Sequence, residues 1–91
     1  MSKKLLIVNG SPRKNGVDAA IAKLIASNAN GARIDNTDGQ KLLFSDGSWV
    51  LARPSGTEPL YRVYAESRNK ERAEELASYY ERLIVEFISK A

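Results

Sequence analysis

Cysteine and histidine are both missing from this sequence of 91 residues. Without cysteine there is no disulfide scaffold, no thiolate nucleophile and no cysteine-based zinc site. Without histidine the chain lacks the side chain that most often moves protons near neutral pH, which is also the commonest metal ligand. Long hydrophobic runs are missing too. No stretch approaches the roughly 20 apolar residues of a membrane span. The run Leu5–Val8 behind Met-Ser-Lys-Lys is shorter than the roughly 7–15 apolar residues of a signal peptide. No membrane partner is expected, and the cytoplasm is the expected compartment. The charge is only weakly one-sided, with 14 Lys and Arg against 11 Asp and Glu, a net +3. That excess sits in residues 1–46, and no block of five or six like charges occurs. No nucleic-acid arm is therefore expected.

What remains is ordinary. The chain is 43% hydrophobic and 27% charged, the composition of a globular protein of one small domain over residues 1–91. Leu5-Leu6-Ile7-Val8, stopped by Asn9-Gly10, reads as a short strand buried on both faces. Gly10 to Gly16 is a loop by composition. Val17, Ala20, Ile21, Leu24 and Ile25 then form one apolar stripe at helical spacing, with Gly31 as the C-terminal cap. Ala32 to Asn36 and Gln40 to Phe44 read as strands joined by the turn Asp38-Gly39. A second turn, Asp46-Gly47, leads to a strand over Trp49–Ala52.

Residues 60–66 alternate, with Leu60, Arg62, Tyr64 and Glu66 on one face and Tyr61, Val63 and Ala65 on the other. Ser67 to Asn69 opens a last helix, whose apolar stripe is Ala73, Leu76, Ala77, Tyr80, Leu83, Ile84, Phe87 and Ile88. The order β-α-β-β-β-β-α predicts an α+β two-layer sandwich. Its sheet is mainly antiparallel, of four or five strands, with two helices on one face. Leu5–Val8 is apolar enough for a central place in that sheet. As an edge strand it would invite dimerisation, so the expected state is a monomer or a weak homodimer.

Arg53-Pro54-Ser55-Gly56-Thr57-Glu58-Pro59 is the segment richest in chemistry. Two prolines stiffen its ends and Gly56 leaves its middle permissive. Arg53 offers a planar fork of donors suited to phosphate. Ser55 and Thr57 offer hydroxyls, and Gly56 lets backbone N–H groups approach an anion. Arg62 would add a second cation if it points to the same side. An ordinary rigid connection with a surface arginine fits the same residues. Asp35, Asp38 and Asp46 stand among turn signals and read as turn residues, so no metal site is expected.

The string Asp38-Gly39, Asp46-Gly47-Ser48-Trp49-Val50-Leu51, Arg53 to Pro59 and Arg62-Val63-Tyr64-Ala65-Glu66 resembles the C-terminal domain of the phosphohexomutases, the phosphoglucomutase/phosphomannomutase family. The resemblance runs from about Ala32 into the last helix. It implies that Arg53, Ser55, Gly56 and Thr57 contact the phosphate of a sugar phosphate, with Glu58 and Pro59 shaping the loop. A phosphohexomutase has four domains. Its phosphoryl-carrying serine, magnesium loop and sugar-reading loop lie in the other three, and none of those motifs occurs here.

Residues 1–30 resemble something else. Leu5-Leu6-Ile7-Val8 and Gly10-Ser11-Pro12-Arg13-Lys14-Asn15-Gly16 before a helix are similar to the first β-α unit of flavodoxin-like NAD(P)H-dependent FMN reductases. There the loop wraps the FMN phosphate at a helix N-terminus. This implies a second anion loop of Ser11, Arg13, Asn15 and Gly16, although Val17 and Asp18 depart from the family's pattern and Asp18 would repel a phosphate. Two resemblances in one chain, with a seam near Ser27–Arg33, imply a chimeric or engineered single domain. Such a domain would have no catalytic activity and no cofactor, and would bind phosphate or sugar phosphate weakly. One alternative is a natural fragment or subunit of a phosphoglucomutase/phosphomannomutase that needs other domains. A second is a small FMN or nucleotide-phosphate binder using Gly10 to Gly16.

Overall fold

The alternating residues form strand β5 (Leu60–Ser67), and the rest of the molecule is arranged around it. The computed structural model describes residues 2–9, 17–37, 39–54 and 60–90. Within these, the chain runs β1 (Ser2–Asn9), α1 (Val17–Ser27), β2 (Arg33–Asp35), β3 (Gln40–Leu43), β4 (Trp49–Pro54), β5 and α2 (Lys70–Lys90). The five strands form one sheet in the order β1-β5-β4-β3-β2, and every pairing is antiparallel. This is the α+β sandwich that the element order predicts.

One face of the sheet carries Val8, Leu42, Val50, Ala52, Tyr61, Val63 and Ala65, all buried against the helices. From α1, Ile21 and Ile25 enter this core. From α2 it receives Leu76, Ala77, Tyr80 and Ile84. Glu71, Glu74, Glu75, Arg82 and Glu86 face outward, as the helical spacing requires. The two helices meet where the Tyr80 hydroxyl donates to the Asn28 carbonyl at 2.6 Å. Burial pushes the Tyr80 hydroxyl above its ordinary pKa. Just beyond, Asn30 and Gly31 both take positive φ (52° and 84°) and turn the chain toward β2.

β1 departs from the sequence reading. Of the two places the sequence left open it takes the edge, and it is not buried on both faces: Leu5 and Ile7 are 48% and 47% exposed. A continuous apolar run suits a parallel strand covered by helices on both sides. Here both helices lie on one face, so alternate residues of the run face away from them. A flavodoxin-like β-α unit would also feed a parallel neighbour. β1 instead pairs antiparallel with β5, from Ser2 opposite Ser67 to Asn9 opposite Leu60. A second departure concerns Arg53 and Pro54. They end β4, opposite Arg62 and Tyr61, and are not loop residues. Pro54 lies beyond the pairing of β4 with β3, which ends at Ala52 opposite Gln40.

The end of the sheet opposite Pro54 is closed by side chains. The Ser48 hydroxyl lies 2.9 Å from that of Ser67, and both residues are buried. Ser67 Oγ also accepts from the Asn69 backbone N–H at 3.2 Å. Asn69 in turn caps α2, its Oδ1 accepting from the N–H groups of Glu71 (2.8 Å) and Arg72 (3.3 Å). Ser67→Ala strands the Ser48 hydroxyl in the core. It is expected to cost about 1–3 kcal/mol in urea unfolding. Ser48→Ala together with Ser67→Ala should cost less than the two single losses added.

Candidate functional site

Arg53 and Arg62 stand directly opposite each other on β4 and β5. Each alternates with a buried neighbour, Ala52 and Val63, so both lie on the face the helices leave uncovered. The condition set by the sequence, that Arg62 point to the same side as Arg53, is met. Two arginines therefore stand side by side near the point where β4 leaves the sheet and β5 re-enters it. Ser55, Gly56 and Thr57 of the connecting segment lie outside the described residues.

The same holds for Ser11, Arg13, Asn15 and Gly16, but the strand order relates the two segments. Segment 10–16 leaves from Asn9 and segment 55–59 enters at Leu60, and these two residues are register partners. Both segments are thus anchored side by side at one end of the sheet. The β2–β3 turn reaches the same end. Gly39 there takes φ +86°, and a Cβ on it would sit 2.8 Å from the Ala52 carbonyl oxygen and from Arg53 Cβ. The turn packs backbone against backbone beside Arg53. Sequence reasoning found this glycine only as half of a turn dipeptide, because its second role depends on which strand lies next to it.

The acids behave as turn residues where they are described. Asp35 Oδ1 accepts from the Thr37 hydroxyl at 2.7 Å and its N–H at 3.0 Å. Asp46 Oδ1 accepts from the Ser48 N–H at 2.9 Å. These bonds hold both carboxyls below their ordinary pKa. Asp38 lies outside the described residues. Among the described residues no group of acids is placed to hold a metal ion. A cleft of about 390 Å³ between α1 and the β3–β4 end is lined by Ala22, Ile25, Gln40, Ala52 and Tyr61, among others. It opens on the helix side of the sheet, away from the two arginines.

Comparison with known proteins decides the lineage. The sequence model described as "Phosphoglucomutase/phosphomannomutase, C-terminal domain" matches residues 8–82. The chain belongs to this family. A "Phosphoglucomutase/phosphomannomutase" of Thermococcus kodakarensis is 44% identical over 62 residues, which are 68% of this chain and 13% of that protein. A "Probable phosphoglucosamine mutase" of Pyrococcus abyssi is 44% identical over 71 residues, 78% of this chain and 16% of the relative. One from Pyrococcus furiosus is 38% identical over 78 residues, 86% and 17%. The chain thus spans about an eighth to a sixth of these mutases. The span of the family match, residues 8–82, includes residues 27–33. Neither the chimera with its seam there nor the flavodoxin-like segment finds support in these comparisons. No described helix is long and apolar enough to cross a membrane.

Proposed function

We propose that this domain is the phosphate-gripping part of a phosphosugar mutase and has no catalytic activity alone. Arg53 and Arg62 supply the charge, and Ser55, Gly56 and Thr57 supply hydroxyl and backbone donors around the phosphate of a sugar phosphate. The observation that carries this reading is the Arg53–Arg62 juxtaposition on the open face beside the 55–59 connection. Guanidinium forks match phosphate oxygens in geometry and charge. Phosphoryl transfer also needs a placed nucleophile and a metal to neutralise developing charge, and the sequence offers neither motif. An isolated domain also lacks the walls that would enclose a sugar. Binding alone is therefore weak, and a cytoplasmic location is part of the same reading.

A second form of the proposal is a piece or subunit that completes a mutase when other chains or domains supply the rest. It is supported by the share of its relatives' length that the chain spans. Phosphate titration followed by NMR tests the binding. The amides of Ser55, Gly56 and Thr57 are expected to move first at millimolar phosphate, and Arg53→Ala should abolish those shifts. Absence of shifts in the unsubstituted chain refutes the assignment. Complementation of a mutase deprived of its last domain tests the second form.

A further inference from the structure

The two edges of the sheet are protected very differently. β2 is three residues long and carries Arg33 and Asp35, so it offers little to pair with. β1 is eight residues long, and its pairing with β5 runs without a bulge from Ser2 to Asn9. Its last described apolar stretch, Leu5 to Val8, holds no proline and no charge. Lys3 stays exposed at the start of the strand, its ammonium 3.5 Å from Glu66 of β5 across the open face. Lys3 and Lys4 confine the charge to the strand's first half. Leu5 and Ile7, each about half exposed, sit on the face without helices.

We infer that β1 is a self-association edge, pairing antiparallel with β1 of a second copy of this chain. Two copies joined by the same edge are related by a two-fold axis perpendicular to the sheet. Each side chain then meets one from its own face, so the axis must pass through a residue. Placed at Leu6, it sets Leu6 against Leu6, Leu5 against Ile7, Lys4 against Val8 and Lys3 against Asn9. This register uses seven of the eight strand positions. It groups the exposed Leu5 and Ile7 of both copies into one apolar patch and separates like charges. Placed at Leu5, the axis sets Lys3 against Ile7 and Lys4 against Leu6. Placed at Ile7, it shortens the ladder and sets Leu5 against Asn9. Apolar cross-strand pairs and the absence of opposed like charges both favour Leu6. The second copy is the occupant because the strand is its own best complement. The family match begins at Val8, so most of β1 lies outside it; the inference does not rest on the phosphate-binding proposal, although Ile7 is the register partner of Arg62.

Sedimentation of the chain between about 10 μM and 1 mM, where a weak dimer would populate, reads the outcome. A reversible monomer–dimer equilibrium is expected, and Ile7→Lys should abolish the dimer while its circular dichroism stays native. The chain has no cysteine of its own, so the register can be read by disulfide trapping. A mixture of Leu5→Cys and Ile7→Cys chains should cross-link to each other in preference to themselves. A chain monomeric throughout that range overturns the proposal and leaves the edge to an extended segment of another protein. A dimer indifferent to Ile7→Lys, or self-cross-linking that exceeds the mixed product, overturns it equally.

Discussion

Replacing Gly39 with alanine should destabilise the domain by about 2–4 kcal/mol and weaken phosphate binding at the same time. Two costs combine. The left-handed backbone costs a non-glycine residue about 1–2 kcal/mol, and Gly39 sits at φ +86°. The new methyl would also meet the Ala52 carbonyl oxygen and Arg53 Cβ at 2.8 Å. The oxygen is backbone in the middle of a sheet, so it cannot swing aside. Either the β2–β3 turn lifts away or β4 shifts beneath Arg53. Gly47→Ala is the control. Gly47 has nearly the same torsion, φ +89°, but nothing lies within 4 Å of its added Cβ. It should cost only the torsional part, about 1–2 kcal/mol. Urea unfolding of the two variants separates strain from collision. Equal losses would show that the contact with Arg53 is not tight in solution.

Ile84→Ala is expected to cost about 2–5 kcal/mol, the range for truncating a fully buried aliphatic side chain. Ile84 is fully buried on α2, within the cluster that joins that helix to the sheet. Close packing leaves few atoms free to fill the space of the lost carbons. The neighbouring Val85 is 41% exposed, and Val85→Ala should stay within about 0.5 kcal/mol. Thermal and urea unfolding of the pair test whether α2 is seated as described. Similar small losses for both would mean that the helix is free to rotate over the sheet. Neither residue approaches Arg53 or Arg62, so phosphate-induced shifts in the folded Ile84→Ala protein should match those of the unsubstituted chain.

The elements were legible where a period ran long enough. The alternation through residues 60–66 predicted both faces of β5, and the stripe from Ala73 to Ile88 predicted which side of α2 is buried. Leu5–Val8 reads as buried on both faces because four apolar residues carry no period. Burial on one face and burial on two faces look alike over so short a run. The end of β4 was also missed, since Pro54 reads as a loop former by type and its position in the sheet depends on the partner strand. The site was half visible. Arg53 and Arg62 could be named from side-chain chemistry. Their direct opposition, and the adjacency of Asn9 to Leu60, follow from strand order, which non-local pairing decides.

The antiparallel register also binds the fate of the site to that of the core. Arg62 and Val63 are consecutive, one on the open face and one fully buried. A slip of one residue in β5 would carry the guanidinium into the core and the valine into water. Arg53 and Ala52 would exchange in the same way if β4 slipped. Insertions and deletions inside these strands are therefore filtered by folding before binding is ever tested. A change of length between Pro54 and Leu60 reverses neither strand's faces, so the sheet does not constrain that connection and any demand on it comes from binding.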